Sequence, residues 1–201
     1  WLWEALNQNK STCTKSLCSG ARSNCTVVLC LGVTGYPVDR FDEGGMVPEK
    51  LFINAQQLLE DSFDLGLQIL DSGFRPDFIV GVWRGGTPVG IAVQEILDHF
   101  GVITDHISIR TSSYAAMGQR SSNIRVHGLN YIVKNVNAEN ALLIVDDVWD
   151  TGLSIQATIA HLREESRRNT PENIRIAAAY YKPGNNRTGL VPDYYVHETD
   201  K

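Results

Sequence analysis

The chain has 201 residues, of which 43% are hydrophobic and 20% charged, and its net charge is −5. This length suits one domain with an appendage, and the composition is that of a globular protein rather than a disordered or fibrous one. The acidic balance leaves no electrostatic footprint for a nucleic-acid partner, and no apolar run of about 18 residues offers a membrane span.

Residues 1–45 show no clear period. All four cysteines, Cys13, Cys18, Cys25 and Cys30, fall here in the spacing C-x4-C-x6-C-x4-C. That is not the paired C-x2-C of a zinc ribbon, so a small disulfide or metal knot competes with a plain leader. The first methionine is Met46, just before the first convincing helix. Residues 1–45 are therefore expected to be a non-native or disordered leader, and 46–201 to form the folded domain. That domain carries no thiol, which fits a cytoplasmic protein.

From Pro48 to Leu70 the spacing predicts an amphipathic helix. Phe52, Ala55, Leu59, Phe63, Leu67 and Leu70 recur at three- and four-residue steps and would share the buried face. After the turn at Gly73–Asp77, Phe78–Val82 reads as a buried strand running into Trp83-Arg84-Gly85-Gly86-Thr87-Pro88 and a helix to about Phe100. Gly85 and Gly86 let backbone approach a ligand closely, and Arg84 supplies a fork of donors suited to phosphate. Thr104–Arg110 alternates as a strand. A polar stretch with Ser113 and Tyr114 at its start continues to about Leu129, the length of a lid or a disordered segment. Tyr131–Val133 is expected to be the returning strand of that hairpin.

The chain's organising stretch is Ala141–Ser154. Five apolar residues in succession read as a strand buried on both faces. Asp146 and Asp147 follow where it should end, then Asp150, then Thr151-Gly152-Leu153-Ser154 and a helix from Ile155 to Arg168. Amide groups of that turn, with the helix N-terminus, suit a phosphate. The acids suit a metal, ribose hydroxyls or a general base. Acid-tipped strands also occur in phosphoacceptor and haloacid-hydrolase-like sites. Asn173–Tyr181 is a further strand ending in Lys182-Pro183-Gly184, and Val191–Val196 is a last short one.

The acidic stretch resembles the PRPP (phosphoribosyl pyrophosphate) signature of type I phosphoribosyltransferases. Arg-Gly-Gly, Ser-Ser-Tyr and Lys-Pro lie around it in that family's order, over about residues 50–200. The resemblance is to the 6-oxopurine branch, hypoxanthine–guanine or xanthine–guanine, and the Lys-Pro, short loop, Asp-Tyr-Tyr-Val order is most similar to xanthine–guanine members. It implies an α/β fold, a doubly wound, mainly parallel sheet of about five strands, with a small hood built from the 111–131 hairpin and C-terminal pieces. It implies transfer of phosphoribose from PRPP to a purine base, with Mg²⁺ as cofactor and a homo-oligomer of two or more chains.

By the same resemblance, Asp146 and Asp147 hold the ribose and metal, and Asp150 accepts the proton leaving the purine. Thr151, Gly152, Leu153 and Ser154 cradle the 5′-phosphate. Arg84 and Gly85 hold pyrophosphate, with a cis peptide before Arg84. Ser113 and Tyr114 open the flexible hood, and Lys182 reads the purine 6-oxygen. Two departures stand out. No aromatic residue follows Val196 to stack on the base, which places that residue beyond Lys201, and Trp149 is bulkier than the usual aliphatic residue. A PRPP- or nucleotide-sensing regulator on the same fold is the alternative. A receiver-like domain does not fit, because Asp77 precedes its strand.

Overall fold

The computed structural model describes residues 51–114 and 123–200. The cysteines, Met46 and most of the polar stretch after Tyr114 lie outside the described residues. In chain order the elements are α1 (Ala55–Asp71), β1 (Phe78–Trp83), α2 (Gly86–His99), β2 (Asp105–Tyr114), β3 (Asn123–His127), α3 (Asn130–Asn135), β4 (Ala141–Trp149), α4 (Leu153–Ser166), β5 (Asn173–Tyr181) and β6 (Tyr194–Glu198).

The sheet has six strands in the order β3-β2-β1-β4-β5-β6. Every neighbouring pair is parallel except β2–β3. The chain starts in the middle at β1, winds outward through β2, then crosses to β4 and winds the other way. This reversal between β1 and β4 opens a crevice at the carboxyl ends of those strands, where ligands bind in such folds. The expected doubly wound architecture is present, with six strands in place of about five.

Both faces of the sheet are covered, and the fully buried spans of its central strands are apolar. Leu65 and Ile69 of α1 and Val89, Val93 and Leu97 of α2 pack on Ile79, Leu143, Val145 and Ala177. Ile132 of α3 and Ile155, Ile159 and Leu162 of α4 pack on Val80, Val82, Ile144 and Ile176. Leu142–Val145 are all buried, as expected of a strand sandwiched between helices.

Two sequence expectations need correction. Helix α1 starts at Ala55 rather than Pro48, because the Asn54 side chain caps it by accepting from the Gln57 amide at 2.8 Å. Its buried face is Asp61, Ser62, Leu65, Gly66 and Ile69, not the Phe52–Leu70 stripe; Phe52 is 68% exposed. Gly66 selects that face: a Cβ there would lie 3.0 Å from Cβ of Ile96, so α1 and α2 meet closely at this point. The second correction concerns the hairpin. Its returning strand is β3, pairing Ser113 with Ile124 and Tyr114 with Asn123, while Tyr131–Val133 belongs to α3, which buries Ile132. Strand β2 runs four residues past Arg110, through Tyr114, and β3 satisfies that overhang.

Candidate active site

The acid pair sits at the end of β4, against the turn that leaves β1. A Cβ added to Gly85 would fall 2.0 Å from Asp147 Oδ2, and one added to Gly86 would fall 2.5 Å from the Val145 carbonyl oxygen and 2.7 Å from Asp146 Cα. Only glycine at both positions lets the Arg84 turn lie on the acidic strand end. The Trp83–Arg84 peptide is cis. Asp146 Oδ1 accepts from the Asp147 amide at 3.0 Å. Burial, and then the negative charge of Asp147, push the Asp146 carboxyl well above the usual carboxylate range. Two acids so placed are poised for a cation or for hydroxyl donors.

Beyond Trp149 the chain turns through Gly152, whose φ is +74°, a left-handed conformation that glycine adopts without strain. Helix α4 starts at the next residue, and Thr151 and Gly152 precede its N-terminus. A second loop braces this turn. The Lys182 amide donates to the Trp149 carbonyl at 2.8 Å and the Arg187 amide to the Thr151 carbonyl at 3.0 Å. Asn185 Nδ2 donates to Asp150 Oδ1 at 2.6 Å. Lys182 thereby stands at the end of β5, beside the segment that carries Asp150. The bulky Trp149 has a structural role here: it is 1% exposed, and its ring would lie 2.6 Å from a Cβ on Gly152. Its Nε1 has no hydrogen-bond partner among the described residues.

Asp146, Asp147, Arg84 and Gly85 are thus brought together, and Asp150, Thr151, Gly152 and Lys182 form an adjoining group. Leu153 and Ser154 open α4. Ser113 and Tyr114 are placed elsewhere, at the end of the β2–β3 ladder on the outer side of β1.

Two cavities border the acid pair and its turn. One of about 410 Å³ lies beside Asp147 and Val148, walled by Ile53, Leu58, Leu59 and Pro88, with Tyr180 and Ser62 in its lining. The other, of about 290 Å³, is lined by Trp83, Arg84, Arg110 and Thr111. Behind the first, Asp61 is buried and accepts from Tyr180 Oη at 2.6 Å and pairs with His197 Nε2 at 2.8 Å. This network ties α1 to β5 and β6. Sequence reading missed Arg110, Asn185 and the Asp61 network. Arg110 carried one signal, as a cation closing an alternating strand just before the Ser-Ser-Tyr segment.

A glycine turn at a helix N-terminus, an acid pair on the preceding strand and an arginine turn on its neighbour meet at the carboxyl ends of a doubly wound sheet, where such α/β proteins bind their ligands. Residues 53–201 match the phosphoribosyl transferase domain, and the chain belongs to that family of transferase enzymes. Among solved structures, the purine phosphoribosyltransferase from Pyrococcus horikoshii OT3 is similar at 28% identity, over 74% of this chain and 87% of that one, with a TM-score of 0.55. The Trypanosoma cruzi hypoxanthine phosphoribosyltransferase shares the fold at 17% identity, over 80% of this chain and 83% of that one, with a TM-score of 0.59. So does a Neisseria gonorrhoeae protein with bound ppGpp, at 16% identity, over 73% and 81% of the two chains, with a TM-score of 0.59. No curated protein sequence matches the chain.

Proposed function

We propose that this enzyme transfers the phosphoribosyl group of PRPP to a 6-oxopurine base, releasing pyrophosphate, as a step of purine salvage. The observation that carries the reading is the contact of the Arg84–Gly85–Gly86 turn with Asp146 and Asp147, with the Gly152 turn directly downstream. One ribose between these elements would have its hydroxyls at the acids, its 5′-phosphate at α4 and its pyrophosphate at Arg84. The likeness to the Pyrococcus purine enzyme supports a purine as acceptor.

Pyrophosphate leaves readily once its charge is neutralised, so positioning and electrostatics carry most of the barrier reduction. Asp146 and Asp147 would hold the ribose hydroxyls, directly or through Mg²⁺. The residues present fit that ion. Burial, and after it the charge of Asp147, disfavour ionisation of Asp146, and a divalent cation would offset both. Among the described residues no group of three or more acidic, histidine or cysteine ligands forms. Mg²⁺ characteristically takes one or two carboxylates and fills its shell with water and substrate oxygens. When bound it would neutralise charge on the pyrophosphate.

Asp150 would take the proton leaving the purine nitrogen. Asn185 fixes one of its oxygens and leaves the other to act. Thr151, Gly152, Leu153 and Ser154 would hold the 5′-phosphate. Lys182, at the end of β5, would donate to the purine 6-oxygen. Adenine would leave that ammonium without an acceptor, which is how polar sites reject close analogues. Ser113 and Tyr114 would belong to a hood that closes over PRPP and keeps water from an oxocarbenium-like centre. The folded unit would begin at about residue 46, and the working form would be a cytoplasmic homo-oligomer.

The test is initial-rate pyrophosphate release from PRPP and Mg²⁺ with xanthine, guanine, hypoxanthine and adenine side by side. Turnover with 6-oxopurines and not adenine is expected. Tight PRPP binding with no turnover on any base would instead mark a regulator that senses PRPP.

A further inference from the structure

Three strands change face at one level of the sheet. Side chains alternate along a strand, and below that level they do so here. Val145, Ala177 and Tyr194 face α1 and α2, while their neighbours Ile144, Ala178 and Tyr195 face α3 and α4. Alternation would carry Val148, Tyr180 and His197 to the α4 side. All three lie on the α1 side instead. Val148 and Tyr180 line the cavity beside Leu58 and Leu59, and Tyr180 and His197 both reach Asp61 of α1. Val148 is in register with Tyr180, and Tyr180 with His197, so the three form one row across β4, β5 and β6.

Asp61 holds that row. It is 7% exposed, and a buried carboxylate is costly unless its oxygens are bonded. Both are: Oδ2 accepts from Tyr180 Oη at 2.6 Å, and Oδ1 lies 2.8 Å from His197 Nε2. The Tyr180 and His197 rings lie against each other, with centroids 4.9 Å apart. Joining α1 to the sheet needs no acid. Leu65 and Ile69 already do so by packing, and apolar residues replace buried charged groups at little cost. The acid adds what packing does not, a fixed direction for Tyr180. Two residues further on, the Lys182 amide donates to the Trp149 carbonyl at 2.8 Å. The exit of β5 is therefore held at two points, and Asp61 supplies the one just before the lysine assigned to the base.

We propose that Asp61 is a positioning residue for base recognition: through Tyr180 and His197 it fixes the end of β5, and with it the place of Lys182. This rests on the reading of the chain as a PRPP-dependent transferase in which Lys182 meets the purine 6-oxygen. Asp61 itself touches no substrate. The groups assigned to PRPP belong to β4, α4 and the turn after β1, so the effect of Asp61 falls on the base and not on PRPP.

The test is calorimetric titration of the full chain with guanosine 5′-monophosphate (GMP), adenosine 5′-monophosphate (AMP) and Mg²⁺-PRPP, alongside thermal melting. Wild type, Asp61→Asn, Tyr180→Phe, Lys182→Gln and the apolar pair Asp61→Leu with Tyr180→Phe are compared, the pair also in combination with Lys182→Gln. The apolar pair removes both partners of the buried bond, so it leaves no orphaned group between them and should melt near wild type. Its GMP affinity should fall roughly tenfold while AMP and PRPP affinities change little, so that the preference for the 6-oxo nucleotide narrows. Asp61→Asn keeps an oxygen for Tyr180 and should keep most of the GMP affinity. With Lys182→Gln already in place the apolar pair should cost little more, because both act on one contact. In the transferase assay the pair should raise KM for guanine and leave KM for PRPP unchanged. Unchanged GMP affinity in the apolar pair overturns the positioning role. So does an equal loss for GMP, AMP and PRPP, or a loss that adds in full to that of Lys182→Gln. If the pair melts far below wild type, Tyr180→Phe and Asp61→Asn decide by the same ratio of GMP to AMP affinity. A wild type that binds GMP and AMP equally also overturns the role, since Lys182 then reads nothing. A GMP preference that depends on Asp61, in a protein that transfers to no base, supports the role and overturns the proposed reaction instead.

Discussion

Replacing Gly85 by alanine should lower activity sharply with little loss of stability, whereas the same change at Gly86 should lower stability measurably. At Gly85 the new methyl would sit 2.0 Å from Asp147 Oδ2 and 2.2 Å from Cγ, more than an ångström inside ordinary contact. Those atoms are the carboxylate itself, so the strain is relieved by swinging Asp147 out of the site. Asp147 is only half-buried, and the move should cost about 1 kcal/mol of stability or less. On the proposed reading Asp147 faces the ribose or its metal, and losing that charge should lower kcat/KM for PRPP by roughly a hundredfold to a thousandfold. At Gly86 the methyl meets backbone, 2.5 Å from the Val145 carbonyl oxygen and 2.7 Å from Asp146 Cα, and backbone cannot rotate aside. The β1–α2 turn would have to lift off β4, at about 1–3 kcal/mol for overpacking. For a domain of this size each kcal/mol lowers Tm by roughly 2–4 °C. Thermal melting and initial-rate kinetics with PRPP varied separate the two effects. A Gly85→Ala enzyme with near-wild-type kcat/KM for PRPP would refute the contact between the turn and the acid as a functional one.

Three further changes probe other parts of the site. Asp150→Asn should lower turnover by roughly a hundredfold to ten-thousandfold with PRPP affinity retained, and equal losses in both would remove Asp150 as the base. Lys182→Gln should raise KM for 6-oxopurines by roughly tenfold and narrow their advantage over adenine, measured as a ratio of kcat/KM values; an unchanged ratio would show that Lys182 does not read the 6-oxygen. Tyr180→Phe tests the Asp61 network: burial, and then the hydrogen bond to Asp61, push the Tyr180 hydroxyl above the usual phenol range. Its folded-state pKa exceeds its unfolded one, so its contribution is complete below about pH 10 and is lost as pH rises further. The variant should lose about 1–3 kcal/mol at neutral pH, since Asp61 keeps an unpaired oxygen. That deficit should shrink in strongly alkaline buffer; a constant deficit would rule out the hydroxyl as its source.

The parts of the fold that were legible in the sequence are those set by local pattern. Leu142–Val145 reads as a strand covered on both sides, and so it is, but the strand runs on through Asp146 and Asp147 to Trp149 instead of ending before the acids. Asn173–Tyr181 matches its predicted bounds. Helix α1 was misread because it carries two apolar stripes. Leu59, Phe63 and Leu67 compete with Leu58, Leu65 and Ile69, and the buried stripe contains Asp61 and Ser62, which no polarity pattern would place inside. The tie is broken by distant residues: Ile96 fits against Gly66, and Tyr180 and His197 satisfy Asp61. Likewise Tyr131–Val133 has the β-branched character of a strand, but the β2 overhang takes Asn123–His127 as its partner. Asn185 on Asp150 and Arg110 beside Arg84 follow from strand order and loop packing, so spacing along the chain could not reveal them.

The most direct single measurement is mass-spectrometric analysis of the products formed from PRPP, Mg²⁺ and guanine or hypoxanthine. The proposed reaction predicts the nucleoside 5′-monophosphate and pyrophosphate in equal amounts, with both falling by roughly a hundredfold or more in Asp150→Asn over the same interval. Ribose 5-phosphate and pyrophosphate without nucleotide would contradict it, since the site would then be passing the sugar to water rather than to a purine.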